Sequence, residues 1–100
     1  MAITILNDSN FEKEIKVEGT VVVDFFATWC GPCKMQSPII DALSEEMTDV
    51  KFCKLDVDEA PETARQFGIM SIPTIMVIKD GEVSYQQPGL HQKEQLKDLL

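Results

Sequence analysis

Thr20-Val21-Val22-Val23-Asp24-Phe25-Phe26-Ala27-Thr28-Trp29-Cys30-Gly31-Pro32-Cys33-Lys34 is the segment on which the fold turns. Its opening part, Thr20–Phe26, is β-branched, aromatic and apolar except for Asp24, with none of the alternation of a half-wet strand. Such a run predicts a strand buried on both faces. Past Ala27 the character changes. Cys30 and Cys33 stand one helical turn apart, and Pro32 between them fixes the first turn of a helix. A buried strand handing over to a helix at a pair of thiols is therefore the unit to build outward from.

Upstream, Ile3–Leu6 reads as a short strand. Ser9-Asn10-Phe11-Glu12 has the spacing of a capping box, which predicts a helix running to about Val17 and stopping at Gly19. Downstream, a longer helix is expected from about Cys33 to Met47, kinked at Pro38. Met35, Ile39, Leu43 and Met47 recur every four residues as its core-facing stripe, with Asp41, Glu45 and Glu46 toward water. Val50–Val57 is the next strand, and Pro61 and Glu62 open a short helix closed by Gly68. Thr74–Lys79 and Glu82–Tyr85 flank Asp80-Gly81, a two-residue hairpin signal. Leu96, Leu99 and Leu100 supply the inward face of a last helix. Strand and helix alternate and a hairpin follows, which predicts an α/β protein with a mixed sheet and helices on both faces. No repeat or linker interrupts the pattern, so residues 1–100 are expected to form one domain.

At 100 residues, 44% hydrophobic and 26% charged, the chain has the balance of an ordinary globule. It is long enough to bury about 60–70% of its unfolded surface without disulfide staples. Nine basic residues against 17 acidic give a net charge of −8. That charge repels phosphate backbones and anionic lipid surfaces, so neither nucleic acid nor membrane is an expected partner. Met1 to Asp8 lacks the basic patch and apolar core of a signal peptide, so an intracellular address, the cytoplasm, is expected. Three cysteines, an odd number, also argue against a secreted disulfide framework.

The chemistry concentrates at Cys30-Gly31-Pro32-Cys33. A strand-to-helix junction places free backbone amides and the positive end of the helix dipole beside Cys30. Cys30 should then be the more acidic and reactive thiol. Cys33 lies one turn further in, less exposed and close enough to close a disulfide. Thiols so placed attack a foreign disulfide and release the product by internal exchange. A zinc site is the competing reading, but zinc wants four ligands. Only Cys53 and His91 remain to supply them, neither at finger spacing, so no metal or cofactor is expected. Cys53 reads as a small buried hydrophobe and His91 as a surface residue. The acids Asp56, Asp58 and Glu59 read as solvated charge.

The segment from Phe25 to Lys34 resembles the active-site segment of the thioredoxin family. The likeness extends to Asp24, Pro38, Lys54, Ile72-Pro73-Thr74, Lys79-Asp80-Gly81 and Gly89, nearly end to end. It implies the thioredoxin fold, three layers with a mixed five-stranded central sheet flanked by four helices. It implies a monomeric protein-disulfide reductase that acts on disulfide-containing proteins and is recharged by thioredoxin reductase. Gly-Pro between the cysteines, and the absence of an export signal, disfavour a thiol oxidase or isomerase. A non-catalytic subunit holding a partner on the same surface is the rival from another class.

Asp24 and Lys54 are charges within apolar strands. Neither should be buried alone, and each is a possible partner for the other. The resemblance implies that Asp24 moves protons to and from Cys33, with Lys54 tuning it. Pro73, by position alone, reads as an ordinary trans proline at a strand edge. The resemblance reverses this, implying a cis bond facing the disulfide and an Ile72 backbone that pairs with extended substrate. Trp29 is expected to be partly exposed for partner contact, and Gly31, Pro32, Pro73 and Gly89 to complete an apolar docking surface. Phe26, Met70-Ser71 and Pro88 depart from common family patterns.

Overall fold

Val21, Val23 and Phe25 are buried on one side of a strand while Val22 is buried on the other, so the apolar run is covered twice. This is seen in a computed structural model, which describes residues 3–100; the reading of Met1 and Ala2 lies outside the described residues. The elements are β1 (Ile3–Leu6), α1 (Phe11–Ile15), β2 (Thr20–Phe26), α2 (Gly31–Glu46), β3 (Lys51–Asp56), α3 (Pro61–Gln66), β4 (Thr74–Lys79), β5 (Glu82–Pro88) and α4 (Lys93–Leu99). They form one five-stranded sheet in the order β1-β3-β2-β4-β5. β1 and β2 run parallel to β3, while β4 is antiparallel to both β2 and β5, giving the mixed sheet expected.

Strand alternation divides the core in two. Val21, Val23, Phe25, Cys53, Leu55, Met76 and Ile78 meet Phe11 and Ile15 of α1, with Phe67 beside α3 packed against them. On the opposite face Val22, Phe52, Ile75 and Val77 meet Ile40 and Leu43 of α2 and Leu96 of α4. Each fully buried Val, Leu, Ile or Phe contributes about 1.5–3 kcal/mol. The three layers follow: helices, sheet, helices. β2 lies at the centre of the sheet, and its carboxyl end delivers the chain directly into α2.

Three local expectations are corrected. Ser9 does not cap α1: Asn10 is the capping position, and the Asn7 carboxamide accepts from the amides of Ser9 and Asn10, both at 2.8 Å. An Asx turn thus replaces the capping box, and α1 ends at Ile15. On α2 the buried positions are Cys33, Gln36, Ile40 and Leu43, whereas Met35 is 62% exposed. The helix is one element through Pro38. β5 continues past Tyr85 to Pro88, pairing Thr74 with Pro88 and bringing residue 88 beside the proline loop. At the hairpin both Asp80 (φ 50°) and Gly81 (φ 87°) lie in the left-handed region, the conformation a two-residue turn between twisted strands needs.

Candidate active site

Cys30 is the residue that caps α2. Its backbone is extended, its own N–H donates to Ala27 O at 3.2 Å, and its sulfur accepts from the Cys33 amide at 3.2 Å. A sulfur held where a Ser or Asp oxygen usually caps a helix receives the unpaired amides and the dipole together, which favours negative charge on it. Pro32 occupies the first turn, where its missing N–H costs nothing. Cys30 and Cys33 form a disulfide with Cα atoms 5.3 Å apart. Their residue exposures are 4% and 3%, so the expected difference in exposure is not found. What separates them is the capping position, which belongs to Cys30.

Ile72 O sits 3.7 Å from Cys30 Sγ, and the Ile72–Pro73 bond is cis. Pro73 O in turn accepts from Gly89 N at 2.8 Å. The loops before β4 and after β5 thereby meet beside the disulfide. Trp29 is 69% exposed, and its indole N–H donates to Asp58 Oδ2 at 2.8 Å. Asp58, read from the sequence as solvated charge, thus anchors the tryptophan, while its own amide donates to Asp56 Oδ1 at 2.9 Å. Gly31 and Pro32 are exposed at the mouth of the site.

Asp24 lies across the sheet from Lys54 in register, and its carboxyl is 1% exposed with neither oxygen hydrogen-bonded. Burial pushes its pKa up from 3.8 to about 7; the Lys54 charge opposes this and Asp41 adds to it. The possible Asp24–Lys54 pair is not made as a hydrogen bond. Lys54 extends outward and donates instead to Ser37 Oγ at 2.5 Å and Asp41 Oδ1 at 2.9 Å, both on α2. An ammonium on a long stem reaches the wetter partner, and the carboxyl is left behind. A cavity of about 290 Å³ lies alongside, lined by Phe26, Ala27, Thr28, Cys33, Lys34, Ser37 and Lys54. It is large enough for water. Cys33 and Lys54 therefore share one cavity wall beside the strand that carries Asp24.

His91 is buried, 4% exposed, against the expectation of a surface residue. Its ring nitrogens meet Tyr85 Oη and Gly89 O, each at 2.8 Å, so its polar groups find partners inside. Gln36, also missed, clasps its backbone. A glutamine inside the apolar face of a helix was the available signal. Cys53 is buried as expected, and burial pushes its thiol up to about 12.

The family model for Thioredoxin matches residues 2–100 of the chain. The chain is 50% identical to the thioredoxin of Bacillus subtilis (strain 168), over 100% of this chain and 96% of that protein. It is 50% identical to the thioredoxin of Rickettsia prowazekii (strain Madrid E), over 95% of this chain and 92% of the relative. With the thioredoxin of Chlamydia muridarum (strain MoPn / Nigg) the identity is 45%, over 98% and 95% respectively.

Proposed function

Since the chain belongs to the thioredoxin family and is a protein thiol–disulfide oxidoreductase, we propose a division of labour among its site residues. Cys30 attacks, Cys33 resolves, Asp24 moves the proton and Lys54 tunes Asp24. Trp29, Gly31, Pro32, Ile72, Pro73 and Gly89 receive the substrate. The observation that carries this reading is the sulfur of Cys30 in the capping position of α2, 3.2 Å from the Cys33 amide.

In the reduced protein the Cys30 thiolate attacks one sulfur of a protein disulfide, and the other sulfur leaves as a thiolate. The mixed disulfide places substrate backbone beside Ile72, whose carbonyl, 3.7 Å from Cys30 Sγ, offers a strand-like hydrogen bond. Cys33 then gives its proton to the Asp24 carboxylate, relayed by water in the adjoining cavity, and attacks Cys30 Sγ. The second substrate thiolate departs and the Cys30–Cys33 disulfide remains. A group whose pKa lies near the working pH suits this exchange, because it takes and returns a proton at comparable cost. Thioredoxin reductase supplies the two electrons that restore the dithiol. The protein works as a single-domain monomer in the cytoplasm, a reading supported by its likeness to bacterial thioredoxins over its whole length. Among the described residues no helix is long and apolar enough to cross a membrane.

Insulin reduction driven by dithiothreitol tests the reading, with Cys30→Ser as control. The native chain should accelerate precipitation of the insulin B chain, and the variant should not. A native chain no faster than dithiothreitol alone overturns it.

A further inference from the structure

We infer that Gln36, His91 and Tyr85 are positioning residues, a polar clasp that fixes the Gly89 loop against α2 so that it can receive a protein substrate; this rests on the exchange mechanism above. Gln36 is fully buried one turn beyond Cys33. Its carboxamide oxygen accepts from His91 N at 2.7 Å and its nitrogen donates to His91 O at 3.0 Å. One side chain thus pairs with the backbone of residue 91 much as a neighbouring strand would. The ring of His91 continues the chain of contacts. Gly89 O can only accept, so Nδ1 carries the proton toward it at 2.8 Å, and Nε2 accepts from Tyr85 Oη at 2.8 Å. The Tyr85 and His91 rings meet edge to face, their centroids 5.7 Å apart.

The other side of Gly89 is tied as well, through its N–H to Pro73 O at 2.8 Å. Ile72, the neighbour of Pro73, touches the Cys30 sulfur. Pro73 itself is buried, so a disulfide presented to Cys30 on a folded chain meets the half-buried Ile72 beside the sulfur and the exposed Gly89 tied to Pro73. That loop has φ +104° at Gly89 and no regular structure until α4 begins at Lys93. Without the clasp its ordering would have to be supplied on each binding event. Gln36 and His91 are buried and Tyr85 half-buried, and a network in which every member is satisfied holds one conformation in advance. The clasp matters for large substrates and is indifferent to small ones, since a small disulfide reaches Cys30 without touching Gly89.

Initial rates for insulin and for cystamine, a small disulfide, with dithiothreitol as reductant, separate the two. Gln36→Leu and His91→Leu should raise KM for insulin about tenfold with kcat and the cystamine rate near wild type. His91→Asn, whose carboxamide nitrogen can still donate to Gly89 O, should recover most of the loss. Tyr85→Phe keeps the ring and the fold and should raise KM about threefold; it decides the matter if the leucine variants do not fold. An unchanged KM in Tyr85→Phe together with any folded leucine variant overturns the clasp. Equal losses with insulin and cystamine also overturn it, since they mark a general structural defect. A wild-type chain active on neither substrate overturns the exchange reading and the docking role with it.

Discussion

Three thiols of identical intrinsic chemistry are made unequal by their positions alone. Cys30 caps a helix, Cys33 lies inside its first turn, and Cys53 is sealed within β3. Cys30 should alkylate with iodoacetamide at pH 7 at least about tenfold faster than Cys33 or Cys53, measured on single-cysteine variants. A fastest reaction at either of the other two would reverse the assigned roles. Cys53→Ala should leave insulin reduction unchanged, because a thiol pushed up to about 12 is not ionised at working pH. Trp29 adjoins the disulfide and is the sole tryptophan. Its emission should brighten on reduction, as disulfides quench nearby indoles, and Cys33→Ser should show no such change. Emission indifferent to redox state would separate the indole from the reacting pair. These residues were legible in the sequence because two cysteines at helical spacing after a buried strand admit few other uses. Asp58 was not legible, since its partnership with Trp29 joins loops that only the fold brings together.

At the scale of elements, α2 shows how a correct reading of a helix can misplace one end of its stripe: Leu43 is buried and Ile39 and Met47 pack against the core, but Met35 is exposed. The residues 35, 39, 43 and 47 advance by four, and each step turns about 40° further around a helix of 3.6 residues per turn. The buried set, Cys33, Gln36, Ile40 and Leu43, alternates steps of three and four and so stays in one stripe. Met35 lies about 120° around the helix from the centre of that stripe. Met47 does point along it, yet falls at the C-cap. The consequence is measurable by urea denaturation. Leu43→Ala should cost about 2–5 kcal/mol, while Met35→Ala should stay within about 0.5 kcal/mol. Comparable losses would restore the stripe at four-residue spacing. β2, β4 and the Asp80-Gly81 turn were legible to the residue, because two-sided burial and positive φ each leave a strong local mark. The polar positions on α2 were not. Gln36, Ser37 and Asp41 take their meaning from His91 and Lys54, which are distant in sequence.

The molecule as a whole bears the cost of one carboxyl left without a partner in its interior. Asp24 sits between the sheet's central strands and α2, and its raised pKa makes global stability depend on pH. In the unfolded chain the group ionises near 3.8; in the folded protein it does so at about 7. Below the lower value both states hold the proton, and stability does not change on this account. Between the two the unfolded chain has lost its proton while the folded protein still holds one, so stability falls as pH rises. Above about 7 both are ionised and the loss levels off, at roughly 4 kcal/mol or less. Asp24→Leu removes the charge at similar volume. It should stabilise the fold at pH 8 by about 1–4 kcal/mol, and by less at pH 5, where the native carboxyl is already neutral. Insulin reduction by the same variant should slow, because Cys33 then lacks a nearby acceptor for its proton. Stability and turnover would move in opposite directions through a single substitution. Urea melts of both proteins at pH 5 and pH 8, with turnover measured beside them, test this. A variant less stable at pH 8 makes Asp24 a structural residue, and one that turns over at the native rate removes it from the proton path.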